Sequence, residues 1–155
     1  MEITYNITFH SNWHCGSGLA SGAHLDALVI KDKNGMPYIP GKTLKGIIKE
    51  AVYTYISFTT KENKDNRFKN FNNHFGYVGE NGETHEGKAF FSNAIINDYD
   101  NIIQNNLCSQ MFTSIASTQI NEYGVAENNS LRKIEVTVPC TLTASISNID
   151  DDFAG

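Results

Sequence analysis

The chain has 155 residues, 40% of them hydrophobic and 19% charged, which is enough for one compact domain with its own core and too little to expect two. No apolar run approaches the ~20 residues that span a bilayer, and MEITYNITFH carries no basic flank followed by an apolar stretch, so neither a membrane protein nor a secretory signal is read and cytoplasm is the default compartment. A net charge of −5 argues against a protein coated in basic surface, as a nonspecific nucleic-acid binder is.

In chain order, Ile3, Tyr5, Ile7 and Phe9 alternate with Thr4, Asn6 and Thr8, the period of a half-buried strand over 2–10. A loop rich in Gly and Ser follows, HCGSGLASGAH, whose glycines permit close backbone approaches. The apolar run Ala27 to Ile30 then meets a turn at Lys33-Asn34-Gly35. After Pro37-Tyr38-Ile39-Pro40-Gly41 the period becomes helical. Leu44, Ile47, Ile48, Ala51, Val52 and Tyr55 repeat at three and four residues and predict a helix over 43–57, with Thr43 as its N-cap. Lys42, Lys45 and Lys49 share the face opposite that apolar stripe. Residues 59–73, crowded with Lys and Asn, read as an exposed loop. Beyond them an Asn81-Gly82 turn precedes a strand from Ala89 to Ile96, 104–131 reads as polar and irregular, and one long alternating strand runs from Ile134 to Ile146.

Cys15, Cys108 and Cys140 form an odd set with no zinc spacing, so a disulfide framework is not expected. His10 and His14 are close enough to share a metal, but no carboxylate motif brackets them, and a strand-face His10 with a turn His14 is the plainer reading. The charge distribution is more telling. Lys31, Lys33, Lys42, Lys45 and Lys49 gather against a single acid, Asp32, while acids collect at Glu80, Glu83 and Glu86 and again at Asp150 to Asp152.

From His14 to Lys49 the order is glycine-rich loop, acid, Pro-Gly turn and a helix whose first turn bears lysines. Free N–H groups and the positive dipole end of a helix N-terminus attract anions, so this order suits phosphate. An ordinary helix start with solvated lysines accounts for the same residues.

The stretch HCGSGLASGAHLDALVIKDKNGMPYIPGKTLKGIIKEAV resembles the N-terminal signature of the RAMP superfamily, the repeat-associated proteins of CRISPR systems. Its segment Gly35-Met36-Pro37-Tyr38-Ile39-Pro40-Gly41-Lys42-Thr43-Leu44-Lys45-Gly46 is similar to the family's G-x-P-Y-I-P-G-S-S-L-K-G, with Lys42-Thr43 replacing two serines. His74-Phe75-Gly76 and the run from Gly87 to Ala94 are similar to further elements, and Thr113 to Val138 resembles the region where these proteins extend a hairpin, or thumb. The resemblance implies an α+β RAMP domain, a modified RNA-recognition fold of ferredoxin-like topology. It also implies the role of backbone subunit in a type III effector complex, with guide RNA, target RNA and other RAMP subunits as partners and no membrane. Gly16, Ser17, Gly18, Ser21, Lys42, Thr43, Lys45 and Lys49 are then expected near RNA.

Asp26 stands where an aspartate supports metal-dependent target cleavage in the family, which implies a divalent ion such as magnesium or manganese at Asp26, with His24 beside the scissile region. Ala27-Leu28 departs from the family's small-residue-proline pair, and Asp26 as a loop cap is the alternative. A purely architectural subunit, or a metal-independent processing nuclease using His10, His14 or His24 as base, are the rival activities. The family's second helix and C-terminal glycine-rich loop have no counterpart before Gly155. The expectation is therefore a domain incomplete at that end, with an apolar face on 134–146 that needs a partner for a stable fold.

Overall fold

The computed structural model describes residues 1–20, 25–58, 64–128 and 130–150. Helices and strands are mixed: β1 (Ile3–Thr8), α1 (Gly41–Phe58), α2 (Lys64–Phe75), β2 (Gly76–Val78), β3 (Thr84–Glu86), β4 (Phe90–Phe91), β5 (Ile95–Ile96), α3 (Tyr99–Gln104), a 3-10 turn Cys108–Met111, β6 (Phe112–Ser117), β7 (Arg132–Thr137) and β8 (Thr141–Ser147). They form two compact units. The first takes Met1–Tyr5, Pro40–Ala94 and the chain from Thr143 onward; the second takes Asn6–Ile39 and Ile95–Leu142.

In the first unit β8 neighbours β1 on one side and β4 on the other, with Phe90 opposite Ser147 and Phe91 opposite Ile146 in the antiparallel register. Leu44, Ile56, Phe71, Phe75, Phe91, Ala144 and Ile149 are buried. Phe75 links the helices to the sheet, with ring centroids 5.0 Å from Phe71 and 5.8 Å from Phe91. The start of α1 meets β4 backbone to backbone. A Cβ on Gly41 would lie 2.1 Å from the Phe91 carbonyl oxygen, and the Gly41 N–H donates to Asn93 Oδ1 at 2.8 Å. That bond lets the helix begin at Gly41, so Thr43 lies inside its first turn and is not the N-cap.

In the second unit β6 and β7 form an antiparallel hairpin from the Phe112–Thr137 pair to the Ser117–Arg132 pair. The described parts of 13–31 meet β7, with Trp13 bridged to Thr137 and Ala27 to Ile134. Trp13, Val29, Met36, Ile39, Ile96, Met111, Val136 and Leu142 are buried. Trp13 stacks on Phe9 with centroids 4.7 Å apart.

Several sequence expectations are corrected. The part of 59–73 within the described residues is helical, because Phe68, Phe71 and Phe75 share a helical face against α1. The strand expected over Ala89–Ile96 is two short strands, β4 and β5. Within 104–131 lies β6, whose Thr and Ser residues obscured its strand character. The single strand over 134–146 is broken into β7 and β8 around Pro139, which has no N–H to give a ladder. Nor is its apolar face bare: Val136, Leu142 and Ala144 are 3%, 0% and 2% exposed. The expectation of an uncovered face, and of instability arising from it, loses its basis.

The contact at Gly41 predicts a contrast between two glycines of one helix. Gly41→Ala is expected to destabilise the chain by about 3 kcal/mol through overpacking against an immobile backbone. Gly46→Ala meets open space and is expected to add about 0.5–1 kcal/mol through helix propensity. Urea unfolding of the two variants checks both signs.

Candidate nucleic-acid interface

The expected site residues fall in both units. Lys42, Thr43, Lys45 and Lys49 belong to the first; Gly16, Ser17, Gly18 and Asp26 belong to the second. Ser21 and His24 lie outside the described residues.

At the start of α1 most of the N–H groups that a helix leaves unpaired are already satisfied. Pro40 has none, Gly41 gives its own to Asn93 at 2.8 Å, and the Pro40 carbonyl accepts from Thr43 at 2.9 Å and Leu44 at 3.2 Å. Only the Lys42 amide is without a partner among the described residues, so side-chain charge outweighs helix-end N–H groups as an anion attractant here. Lys42 is exposed and Lys45 half-buried. Lys49 is different: its ammonium donates to the Gly76 carbonyl at 2.8 Å and lies 5.9 Å from the Phe71 ring centroid. The expected set of three solvated lysines is thus two lysines facing outward and one that ties α1 to the end of α2.

An open groove of about 360 Å³ runs from Lys45 and Lys49 along Phe75, Gly76, Tyr77 and Val78 to Thr84, His85, Glu86 and Gly87. The β2–β3 hairpin forms its far wall, with Tyr77 directly opposite His85. Sequence reasoning passed over both rings. Their only signal was a Tyr and a His at equal distances from the Gly79–Glu83 turn.

In the second unit the glycine-rich segment begins as a ladder. Ser17 N–H donates to Leu28 O at 2.9 Å, Leu28 N–H to Leu19 O at 3.0 Å, and Ile30 N–H to Cys15 O at 2.8 Å. The Ser17 hydroxyl donates to Leu28 O at 3.1 Å and accepts from Leu19 N–H at 3.2 Å, so it serves the turn. Gly18 has φ +77°, a conformation that favours glycine.

Asp26 is exposed. Its N–H donates to the Lys133 carbonyl at 2.7 Å, and its Oδ2 accepts from the Lys133 N–H at 2.7 Å, a reciprocal clasp on β7. Oδ1 has no hydrogen-bond partner among the described residues. No group of three His, Cys, Asp or Glu side chains suited to a metal occurs among the described residues. A small hard cation that keeps water and substrate oxygens needs as few as one or two carboxylates, so the free oxygen of Asp26 fits a single protein ligand to such an ion.

His14 Nδ1 lies 2.7 Å from the Glu135 carbonyl, which gives the ring a structural partner. Burial pushes the thiols of Cys15 and Cys140 up, away from thiolate chemistry, the latter partly offset by the hydrogen bond from Trp13.

Glu135 is the residue whose importance the sequence concealed. Its side chain is 12% exposed, Oε2 accepts the Val29 N–H at 3.0 Å, and Oε1 accepts the Lys31 ammonium at 2.8 Å, which in turn sits 4.0 Å over the Phe112 ring. A carboxylate on β7 thereby fastens Val29 and Lys31 beside that strand. Next to it, Asp32 Oδ1 accepts the N–H groups of Asn34 at 2.8 Å and Met36 at 2.9 Å, and Oδ2 accepts the Tyr99 hydroxyl. Burial alone pushes the Asp32 carboxyl up, but the bonds from Tyr99, Met36 and Asn34 and the charge of Lys33 outweigh it and hold it below the ordinary range.

The family model described as RAMP superfamily matches residues 6–149. The chain belongs to the RAMP superfamily. Among solved structures, this RAMP protein is similar to a chain of "Cryo-EM structure of the Type III-B Cmr-beta bound to cognate target RNA", with TM-score 0.69 and 13% identity, covering 99% of this chain and 86% of that one. It is also similar to a chain of "Type III-B Cmr-beta Cryo-EM structure of the Apo state", with TM-score 0.59 and 15% identity, covering 94% and 82%. No curated protein matches the sequence. At such identities the likeness is one of fold. Among the described residues of this RAMP protein no helix is long and apolar enough to cross a membrane.

The Glu135 clasp predicts that Glu135→Ala leaves a backbone N–H and an ammonium without their acceptor. The expected loss is about 2 kcal/mol, read from chemical denaturation, with faster proteolysis of the 13–31 segment.

Proposed function

We propose that this chain is a guide-RNA-binding backbone subunit of a type III CRISPR effector complex, with a RAMP domain of modified RNA-recognition, ferredoxin-like topology. The observation that carries the reading is membership of the RAMP superfamily over 6–149 together with a fold similar, over 99% of this chain, to a chain of a type III-B complex described as bound to cognate target RNA. Guide RNA, target RNA and neighbouring RAMP subunits are the partners this implies. Lys42 and Lys45 supply the outward charge for phosphate, Thr43 a hydroxyl in the same turn, and Gly16 and Gly18 the close approach of backbone. Lys49 contributes by holding the groove together.

Target cleavage at Asp26 is the second element of the proposal. Asp26 would hold a divalent cation there, which would supply positive charge at the scissile phosphate. Asp26 itself contributes the free Oδ1, while Oδ2 remains clasped to Lys133 and keeps the carboxylate in one orientation. His24 neighbours Asp26 in sequence and is proposed beside the scissile region.

The clasp decides which variant is informative. Asp26→Ala removes the Lys133 acceptor along with the charge, whereas Asp26→Asn keeps an acceptor and loses only the charge. In the assembled complex Asp26→Asn is expected to leave guide binding intact and to abolish metal-dependent target cleavage. Cutting at the normal rate assigns Asp26 to structure alone and makes the subunit architectural, a role the Lys133 clasp already suits.

For binding, the double variant Lys42→Ala, Lys45→Ala is expected to lower the salt dependence of RNA affinity by about 0.7 in logarithmic slope for each phosphate that no longer meets an ammonium. Filter binding across a salt series measures it. An unchanged slope returns both lysines to solvated surface charge.

A further inference from the structure

The β2–β3 hairpin is seated against the end of α2 through glycine backbone. A Cβ on Gly76, which has φ +81°, would lie 2.5 Å from the His85 carbonyl oxygen, and one on Gly87 would lie 2.2 Å from that of His74. No side chain separates these segments, so the hairpin has little freedom to shift. Across it the rings of Tyr77 and His85 stack at 4.5 Å and 19°. Neither ring serves the core: His85 is exposed and Tyr77 is 44% exposed. A rigid hairpin that displays a stacked pair of planar rings to solvent forgoes apolar burial that either ring would gain elsewhere.

The groove beside this pair also contains Lys45 and Lys49, and the Lys49 ammonium is fixed to the carbonyl of Gly76, one residue from Tyr77. Glu86 lines the same groove, and Glu80 and Glu83 occupy the hairpin turn. Charge is therefore close to balanced there. A polyanion drawn by charge alone has little reason to enter, so an RNA strand that does enter is held by ring stacking, which every base can offer.

We infer that Tyr77 and His85 form a base-stacking platform for single-stranded RNA, with Lys45 as the phosphate partner of the same nucleotide. The inference rests on the RNA-binding reading and adds to it a site whose affinity comes mainly from stacking. A groove of mixed charge also suits a polypeptide. The preformed ring pair with an adjacent ammonium favours a nucleotide, since both halves of its chemistry are then used.

Binding of the full chain to a short oligoadenylate and an oligouridylate, titrated over a salt series, tests this. Tyr77→Leu is expected to weaken oligoadenylate binding about tenfold, and oligouridylate less, with the salt slope unchanged; Tyr77→Phe is expected to bind as the parent does. If Tyr77→Leu leaves both affinities unchanged while Lys42→Ala, Lys45→Ala still lowers the slope, the platform is wrong and the RNA-binding reading stands. If the parent binds neither probe, the RNA-binding reading falls and the platform with it. Unchanged RNA affinity with poorer incorporation of Tyr77→Leu into the effector complex makes this face a protein contact and overturns the inference.

Discussion

The first residue of α1 rests directly on the backbone of Phe91 and Ser92, and the first unit is arranged around that approach. With no side chain between helix and strand, the Gly41 N–H reaches Asn93 Oδ1 and the helix starts closer to the sheet than a bulkier residue would allow. Leu44 and Ile56 are then buried, α2 packs beside α1, and Phe75 completes a line of rings to Phe91. The same device recurs where Gly87 meets the backbone of His74 and Gly76. Two glycine approaches thus help to set the positions of both walls of the lysine groove, and the Lys49 side chain joins the walls through the Gly76 carbonyl.

The second unit is joined by polar bonds instead. In the described parts of 13–31, Trp13 and Val29 are the buried large apolar residues, and the backbone pairs with β7 only at scattered points. Glu135 and Asp26 supply the missing acceptors, one from the strand to the segment and the other from the segment to the strand. An N–H shielded from water is costly to leave unpaired, so the part-buried bond from Val29 to Glu135 makes an irregular path tolerable beside a regular strand, and the exposed Asp26 clasp adds a second tie. Asp26 is in this sense already employed, and any chemistry at its other oxygen is added to a structural duty.

Much of this was legible in the sequence. The alternation of β1 and the periodicity of α1 appeared within a few residues of their observed bounds, and Gly35 takes the positive φ expected of the Asn-Gly turn. The start of α1 was misplaced because its cap comes from Asn93, more than fifty residues away. α2 was missed for a different reason: Lys and Asn dominate its composition, while the spacing of Phe68, Phe71 and Phe75 carried the helical signal. The β7–β8 break was legible in Pro139 and went unused. At the candidate site, Lys42 and Lys45 face outward as their wheel positions suggested, but nothing local reveals that Lys49 turns inward to a carbonyl. Glu135 looked like an ordinary polar position of an alternating strand, because its partners come from a segment a hundred residues earlier.

Trp13 is the chain's only tryptophan, and it sits in the second unit, buried, stacked on Phe9 and donating its indole N–H to Cys140 Sγ at 3.4 Å. An indole so enclosed emits at short wavelength, and a neighbouring sulfur dims it. The chain therefore carries an intrinsic optical probe whose colour and brightness report on the second unit alone. Tyr53 and Tyr77, in the first, give no signal under excitation confined to the indole band.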